Sequence, residues 1–410
     1  MSFDAKVLDD QDSLSGLRAQ FLLPEGVSYL DGNSLGALPR AVPDALDELV
    51  RRQWGEDLIA SWNRHDWIGL PERVGERIAP LIGAAPGQVL CCDSISVNLF
   101  KLLAAALALR PERRKILTVQ GDFPSDGYIA QGLARLLGEQ RCEITAVQPI
   151  ELSAALDDSV AVLLLTEVNY RTGERLPMDD LTQRAHAVGA LSLWDLAHSA
   201  GALPVELDRC EVDMAVGCGY KYFNGGPGAP AFVYVNRSHH QAVEQPISGW
   251  LGHGRPFDFS AAYEPAPGIL RFLAGTPPIL GMVALDAALT VFDGISIQDL
   301  RRKSLALGDF FISRLQALAV SSPLECVTPQ EHARRGSQIS LRHDEAWGIS
   351  QALIERGVIV DFRAPDIVRF GFAPLYNSFA DVERAAQELQ GVLKEGRHLD
   401  PRFQRRPAVT

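Results

Sequence analysis

LSLWDLAHSAGALPVELDRCEVDMAVGCGYKYFNGGPG, residues 191–228, is the stretch whose reading decides the fold. It holds two short apolar runs, 191–194 and 212–218. The first ends on Asp195, with His198 three residues further on, and the second delivers Tyr220 and Lys221. Apolar runs of this length, bounded by turn residues, read as strands covered on both faces. Residues 224–228 then force a turn, because Asn and Gly tolerate the backbone angles a turn demands. An acid, a histidine and a lysine therefore sit at strand ends, which is where open α/β sheets collect their ligands.

Working outward, the same pattern recurs at 116–119, 143–147, 160–166 and 231–235, several of these runs being separated by helical segments. That alternation predicts an α/β fold with a mainly parallel central sheet. The residues beyond its strand ends include 123–126, Thr166, Asp195 and His198. Residues 99–107 form a strongly apolar helix, with Ser96 read as its N-cap. A helix N-terminus with hydroxyls and free amides is an ordinary cap or a phosphate site, since it carries about half a positive charge.

Further back, 29–36 is a Gly-punctuated loop with Asn33 and Ser34 as its polar candidates, and 42–54 has helical spacing. Trp54, Trp62 and Trp67 crowd around His65 in a segment too irregular for one helix, a density that fits a domain or subunit contact. Beyond 235, the loops 249–254 and 275–278 are rich in Gly and Pro, and helices follow at 280–292 and 299–320. Strands at 338–341, 358–362 and 367–372 and a helix at 378–393 predict a smaller α/β domain. The tail with Arg402, Arg405, Arg406 and Pro407 reads as frayed. The expected division is an N-terminal arm at 1–45, a large domain at 46–292 and a small C-terminal domain at 293–410.

At 410 residues the chain is long enough for two cores. Its net charge of −12 argues against a nucleic-acid partner. No apolar run approaches the ~20 residues that span a bilayer, and no signal peptide is legible at the start, so membrane attachment is not expected and a cytoplasmic location is. The six cysteines form no C-x-x-C pair and no zinc spacing, so no metal site is expected.

Chemistry singles out Lys221 and Asp195. Pyridoxal 5′-phosphate requires a lysine to tether it and an anion opposite its ring nitrogen. A nearby carboxylate shifts a pKa by about 1–3 units, enough to keep that nitrogen protonated near neutral pH. Phe123 is available to stack on a ring, and Ser96, Tyr220, Trp250 and Thr276 offer donors to a phosphate. His198 tunes the acid or the cofactor, or is a satisfied structural histidine. Two rivals fail: Gly217-Cys218-Gly219 lacks the third glycine of a dinucleotide fingerprint, and no Walker lysine pattern occurs.

YLDGNSLG at 29–36, SISVNL at 94–99, FPSD at 123–126, WDLAHSAG at 194–201, GYKYFNGGPG at 219–228, GWLGH at 249–253, GTPPIL at 275–280 and RFGFAPLYNSF at 369–379 together give a specific pattern over essentially the whole chain. In these segments it resembles the kynureninase family of fold type I, aminotransferase class V-like pyridoxal phosphate enzymes. The resemblance implies Lys221 as the cofactor's tether, Asp195 as the partner of its ring nitrogen and Phe123 as its stacking residue. It implies that Ile95, Ser96, Ser125, Asp126, Thr166, His198 and Tyr220 complete the cofactor site. Trp250 and Thr276 would reach it from the neighbouring subunit of a homodimer, whose active sites would lie at the subunit interface. Arg369 would clamp the substrate's α-carboxylate, with Asn33 and Ser34 as further substrate-binding candidates. Lys221, Tyr220 and Asp195 would be catalytic, Tyr220 as acid/base at the hydrated carbonyl.

The implied reaction is hydrolysis of L-kynurenine to anthranilate and L-alanine, in tryptophan catabolism. Thr276 stands where members acting on the ring-hydroxylated substrate carry Asn, which leans the reading toward kynurenine over 3-hydroxykynurenine. A cysteine desulfurase or an aminotransferase would share Asp195, His198 and Lys221, and an inactive cofactor-binding scaffold is the remaining alternative. A desulfurase needs a nucleophilic cysteine on a mobile loop, and Cys326 lacks the Gly- or Ser-rich setting for that.

Overall fold

In a computed structural model of the chain, which describes residues 4–318 and 324–404, a seven-stranded sheet forms the centre. Its strands run, edge to edge, Val89–Cys91, Ala231–Val235, Met214–Cys218, Leu191–Asp195, Val160–Thr166, Lys115–Val119 and Glu143–Val147. The last five are mutually parallel, and Ala231–Val235 is antiparallel to both of its neighbours. The reversal follows from the chain: the segment joining Cys218 to Ala231 is short and has no helix, and a parallel return needs a longer crossover, usually helical. The edge strand Val89–Cys91, not anticipated from sequence, is a short run whose ladder is supplied by Phe232–Tyr234.

Every residue of Val160–Thr166, Leu191–Asp195, Met214–Cys218 and Ala231–Val235 is buried. The period of two along a strand divides them between two cores. Leu163, Leu165, Trp194, Ala215 and Phe232 enter one, with the helices Leu70–Ile78 and Ile279–Ala288. Val162, Leu164, Leu193, Val216 and Val233 enter the other, with the helix Ile95–Leu109. Because the parallel strands point one way, Val119, Thr166, Asp195 and Cys218 all end at one edge. The site is built there.

A second, antiparallel sheet has the order Glu325–Cys326, Gln338–Arg342, Ile367–Gly371, Asp361–Arg363 and is covered by the helices Ala346–Glu355 and Phe379–Lys394. The strand expected over 358–362 divides in two. Val358–Ile359 pairs in parallel with Ser28–Tyr29, and Asp361–Arg363 joins the four-stranded sheet. The N-terminal segment is fastened to this unit: Leu30 lies in its core, Asp31 bridges to Gly371, and Asp9 accepts from Phe379 N at 2.7 Å and Ala380 N at 3.0 Å.

The helix predicted over 42–54 is α-helical only across Ala41–Glu48 and widens to a π-helix over Leu49–Trp54. In the tryptophan-rich stretch, Trp62 and Trp67 meet edge to face at 5.7 Å, and Trp67 Nε1 donates to Gln53 Oε1 at 2.9 Å. Of the tail, Arg402 is tied to Glu355 at 3.1 Å in a short 3-10 turn rather than frayed, whereas Arg405, Arg406 and Pro407 lie outside the described residues, as does the predicted helix end at Val320.

Candidate active site

Lys221 follows the strand Met214–Cys218 by three residues and turns its side chain into a buried cavity of about 290 Å³. Among the lining residues are Ile95, Ser96, Phe123, Ser125, Asp126, Thr166, Asp195, His198 and Tyr220. Nine positions named from sequence thus converge with the lysine on one space. Three local features aim it. Asn224 takes a left-handed backbone at φ 58°, turning the chain back after Lys221, and its side-chain amide donates to Tyr222 O at 2.7 Å. Gly36 N donates to Tyr220 O at 2.8 Å, so the 29–36 loop leans directly on the lysine segment. A Cβ at Gly36 would lie 2.3 Å from Lys221 O, which is why that loop needs glycine there.

Lys221 Nζ lies 2.9 Å from His198 Nε2 and 5.9 Å from the centroid of the Phe123 ring. Burial lowers the pKa of Lys221 below the ordinary lysine value, and the Arg369 and Arg363 charges add to that. Burial, then the charge on Lys221, pushes His198 well below an ordinary histidine, so its ring is neutral at pH 7. Phe123 is 41% exposed and meets Tyr170 edge to face at 5.2 Å.

Acid dominates the floor. Asp195 is fully enclosed and raised by burial, an effect eased by the charge of Lys221 and by the Ala197 N–H, which donates to Oδ1 at 2.7 Å. Asp126, in the first turn of the helix Pro124–Leu137, is pushed well above the carboxylate range by burial and by repulsion from Asp195 and Asp122. Asp122 was not picked out from sequence. Its carboxylate accepts from Thr166 N at 3.2 Å, and burial raises its pKa to about 7. The signal for it was present, since it directly precedes Phe123 at a strand end, but only the adjacency of the strands 115–119, 160–166 and 191–195 brings three carboxyls together.

At the other end, the helix Ile95–Leu109 is capped by Ser94, whose hydroxyl accepts from Val97 N at 3.4 Å, not by Ser96 as expected. Because the helix begins one residue before Ser96, that hydroxyl is released toward the cavity, where it lies 3.3 Å from Ser125 Oγ.

The remaining predicted residues lie elsewhere. Asn33 is wholly buried and donates to Gln338 Oε1 at 3.0 Å, with its own Oδ1 packed so closely on Gly371 that a Cβ there would clash. It seals the loop against the second sheet and does not line the cavity. Ser34 Oγ donates to Asp361 Oδ2 at 2.6 Å and accepts from Arg369 Nη2 at 2.8 Å. Arg369 is also fully buried and is not among the residues lining the cavity, but its charge reaches His198 and Lys221. Trp250 and Thr276 stand exposed, apart from the cavity of their own chain, with Trp250 stacked edge to face on Phe257 at 5.8 Å. Among the described residues no His, Cys, Asp and Glu cluster suited to a metal ion occurs.

Against known proteins, the profile described as the kynureninase C-terminal domain matches residues 300–389. The kynureninase of Burkholderia pseudomallei strain 1106a is 50% identical over 412 aligned residues, covering 99% of each chain. The chain belongs to the kynureninase family. The kynureninase of Deinococcus radiodurans is 52% identical across 95% of both chains. Among solved structures, the cysteine desulfurase of Thermococcus onnurineus NA1 superimposes with a TM-score of 0.77 over 93% of this chain and 98% of its own, at 20% identity. A lysine-to-alanine mutant of the protein C-DES, with glycine covalently linked to its PLP cofactor, reaches the same TM-score at 20% identity, covering 91% and 98%. This member of the family thus carries the fold type I architecture that the sequence predicted, shared with both of these structures.

The residues fit pyridoxal 5′-phosphate. Two buried carboxyls of the lining, Asp126 and Asp195, share the cavity with one lysine of lowered pKa, and Asp122 adds its negative charge beside them, so the floor suits a cation such as a protonated ring nitrogen. Asp126 Oδ1 and Oδ2, Thr166 Oγ1 and His198 Nδ1 are buried without hydrogen-bond partners, and buried polar atoms seldom stay unpaired unless a ligand meets them. The helix terminus at Ile95 and Ser96 supplies the amides that a phosphate uses.

Proposed function

We propose that this protein hydrolyses L-kynurenine to anthranilate and L-alanine with pyridoxal 5′-phosphate held in the cavity over Lys221. The observation that carries the reading is full-length similarity to kynureninases in a chain whose Lys221, Phe123 and acidic floor meet in one cavity. Asp195 and Asp126 would face the ring nitrogen, Phe123 would cover the ring, and Ile95, Ser96, Ser125 and Tyr220 would take the phosphate end. When bound, the cofactor supplies an electron sink for the substrate's Cα.

The chain's own residues supply proton handling and orientation. Lys221, its ammonium destabilised by burial, is available as a base at Cα. Tyr220 is half-buried, and burial drives its phenol above the ordinary value, so it keeps its proton and can act as an acid at the side chain. In the net reaction the Cβ–Cγ bond breaks, water's oxygen ends on the former ketone carbon, and Cβ takes up a proton. Arg369 is read as the partner of the substrate's α-carboxylate. A charge-assisted bond of that kind contributes about 1.5–3 kcal/mol and aligns the bonds at Cα.

The same reading makes the protein a homodimer, with Trp250 and Thr276 entering the neighbour's site. Its support is that both are exposed and away from their own cavity, beside exposed Phe257, Phe259 and Leu280. A desulfurase activity is not favoured. Cys326 lies in the strand Glu325–Cys326 with its thiol directed at Thr328 O, and burial raises its pKa. The test is direct: purified protein with cofactor and L-kynurenine should release fluorescent anthranilate, and Lys221→Ala should not. Cofactor-loaded protein that yields no anthranilate would overturn the proposal.

A further inference from the structure

The antiparallel register of Asp361–Arg363 on Ile367–Gly371 sets Asp361 directly opposite Arg369. Arg363 follows two residues along the same strand, so all three side chains share one sheet face. Their bonds converge on a single carboxylate. Asp361 accepts from Arg369 Nη2, from Arg363 Nη1 at 3.0 Å and Nη2 at 2.7 Å, and from Ser34 Oγ at 2.6 Å. Arg369 Nη1 is pinned separately, donating to Tyr170 O at 2.6 Å.

Two features show that this cluster is built around something still to come. Arg369 and Arg363 each keep a buried Nε–H with no acceptor, although Arg369 is itself completely enclosed. Charge is also out of balance. Two guanidiniums face Asp361, and a second carboxyl beside them, Asp31, is raised to about 7 by burial and by repulsion from Asp361, so near neutral pH it is only partly ionised. The surplus positive charge is felt at His198 and Lys221 from both arginines and at Tyr220 from Arg363. It therefore faces the reaction site.

We propose that Asp361 is the positioning residue of the α-carboxylate site, holding Arg369 and Arg363 side by side so that the substrate's carboxylate meets two oriented guanidiniums, with Arg363 as the second cation. This rests on the reading of Arg369 as the carboxylate's partner. Two guanidiniums side by side repel each other, and a carboxylate bonded to both offsets that repulsion while removing the freedom of two long side chains.

The test uses the full-length, cofactor-loaded enzyme and its variants Asp361→Asn, Arg363→Gln and Arg369→Gln, with L-kynurenine and L-kynurenine amide as substrates. Asp361→Asn and Arg363→Gln should each raise KM for L-kynurenine about tenfold with a smaller change in kcat, while KM for the amide, which lacks the anionic carboxylate, stays within about twofold. Combined, they should raise KM by less than the product of the single effects, because both act on one cluster. A merely structural role would raise KM for acid and amide alike, and that result would overturn the inference. If Asp361→Asn does not fold, Arg363→Gln, whose side chain is one-third exposed, carries the test alone. Arg369→Gln separates the two readings. Should it raise KM for the acid while the other variants leave it unchanged, the inference alone fails. Should it too leave KM unchanged, the carboxylate assignment fails first.

Discussion

Replacing Gly36 with alanine probes how the loop at 29–36 controls the lysine from a distance in sequence. The added Cβ would meet Lys221 O at 2.3 Å, Asn224 Oδ1 at 2.5 Å and Asn224 Cα at 2.6 Å. Ordinary contact begins near 3.4 Å, so one segment must retreat by about 1 Å. Two of the three obstructing atoms are backbone of the turn that aims Lys221, and the third is the side chain that braces this turn, so no flexible group is available to swing aside. The retreat also strains the bond from Gly36 N to Tyr220 O. Overpacking of this kind costs about 1–3 kcal/mol of stability. The larger effect should be catalytic, because a misplacement of about 1 Å at a reacting group can cost about 100-fold. Anthranilate release should fall by about that factor, with a modest drop in the urea midpoint. Gly16→Ala is the control, since nothing lies within 4 Å of a Cβ there. A Gly36→Ala enzyme with normal turnover and an unchanged midpoint would refute the claim that this loop holds the lysine segment in place.

Other expectations concern parts of the molecule far from the lysine. At the opposite end of the sheet, Asp213 accepts from His186 Nε2 and His239 Nε2, both at 2.7 Å, and from Ser192 N at 2.8 Å. Burial opposes its ionisation, but those bonds outweigh it and hold the carboxyl below its usual range, while the bond to Asp213 raises His186 above the ordinary 6.5. The raised histidine stabilises the fold fully below its unfolded value and loses that contribution as pH rises through its folded pKa. The depressed carboxyl stabilises above its unfolded value and fails as pH falls through its folded pKa. Asp213→Asn should therefore lower the urea midpoint most near pH 5–6 and less at pH 8, and a pH-independent difference would contradict this. Asp9→Ala, which removes the acceptor for two amides at the start of Phe379–Lys394, should cost about 1 kcal/mol in denaturant titration without changing KM. Mixing inactive Lys221→Ala with Trp250→Ala subunits should restore part of the activity if Trp250 serves its neighbour, since one of the two sites in a mixed dimer is then intact. No recovery after demonstrated subunit exchange would place Trp250 outside that role.

Local pattern carried much of this molecule. The apolar runs at 160–166 and 191–194 were legible as doubly covered strands, and once they were parallel the convergence of Thr166, Asp195 and Lys221 followed, because strand ends on one edge bring distant residues together. Where reading failed, the deciding contact was non-local or lay at an element's edge. Ser94 rather than Ser96 caps the helix Ile95–Leu109 because cap choice turns on backbone angles at one residue. The 358–362 run divided because its halves found partners in different sheets, one of them supplied by the N-terminal segment. Asn33, a substrate-binding candidate from sequence, is tied to Gln338 by a buried hydrogen bond that no local pattern shows.

The opening stretch shows the division clearly. Residues 191–228 contain, by themselves, an acid, a histidine and a lysine at strand ends, since side-chain chemistry and strand period are properties of nearby residues. That Asp122 and Asp126 crowd Asp195, that Gly36 presses on the lysine's own backbone, and that Asp361 stands across from Arg369 were decided only by the folded chain. The physical reason is that desolvation, charge repulsion and van der Waals contact depend on distances between residues far apart in sequence, which are set only when the sheets close around the site.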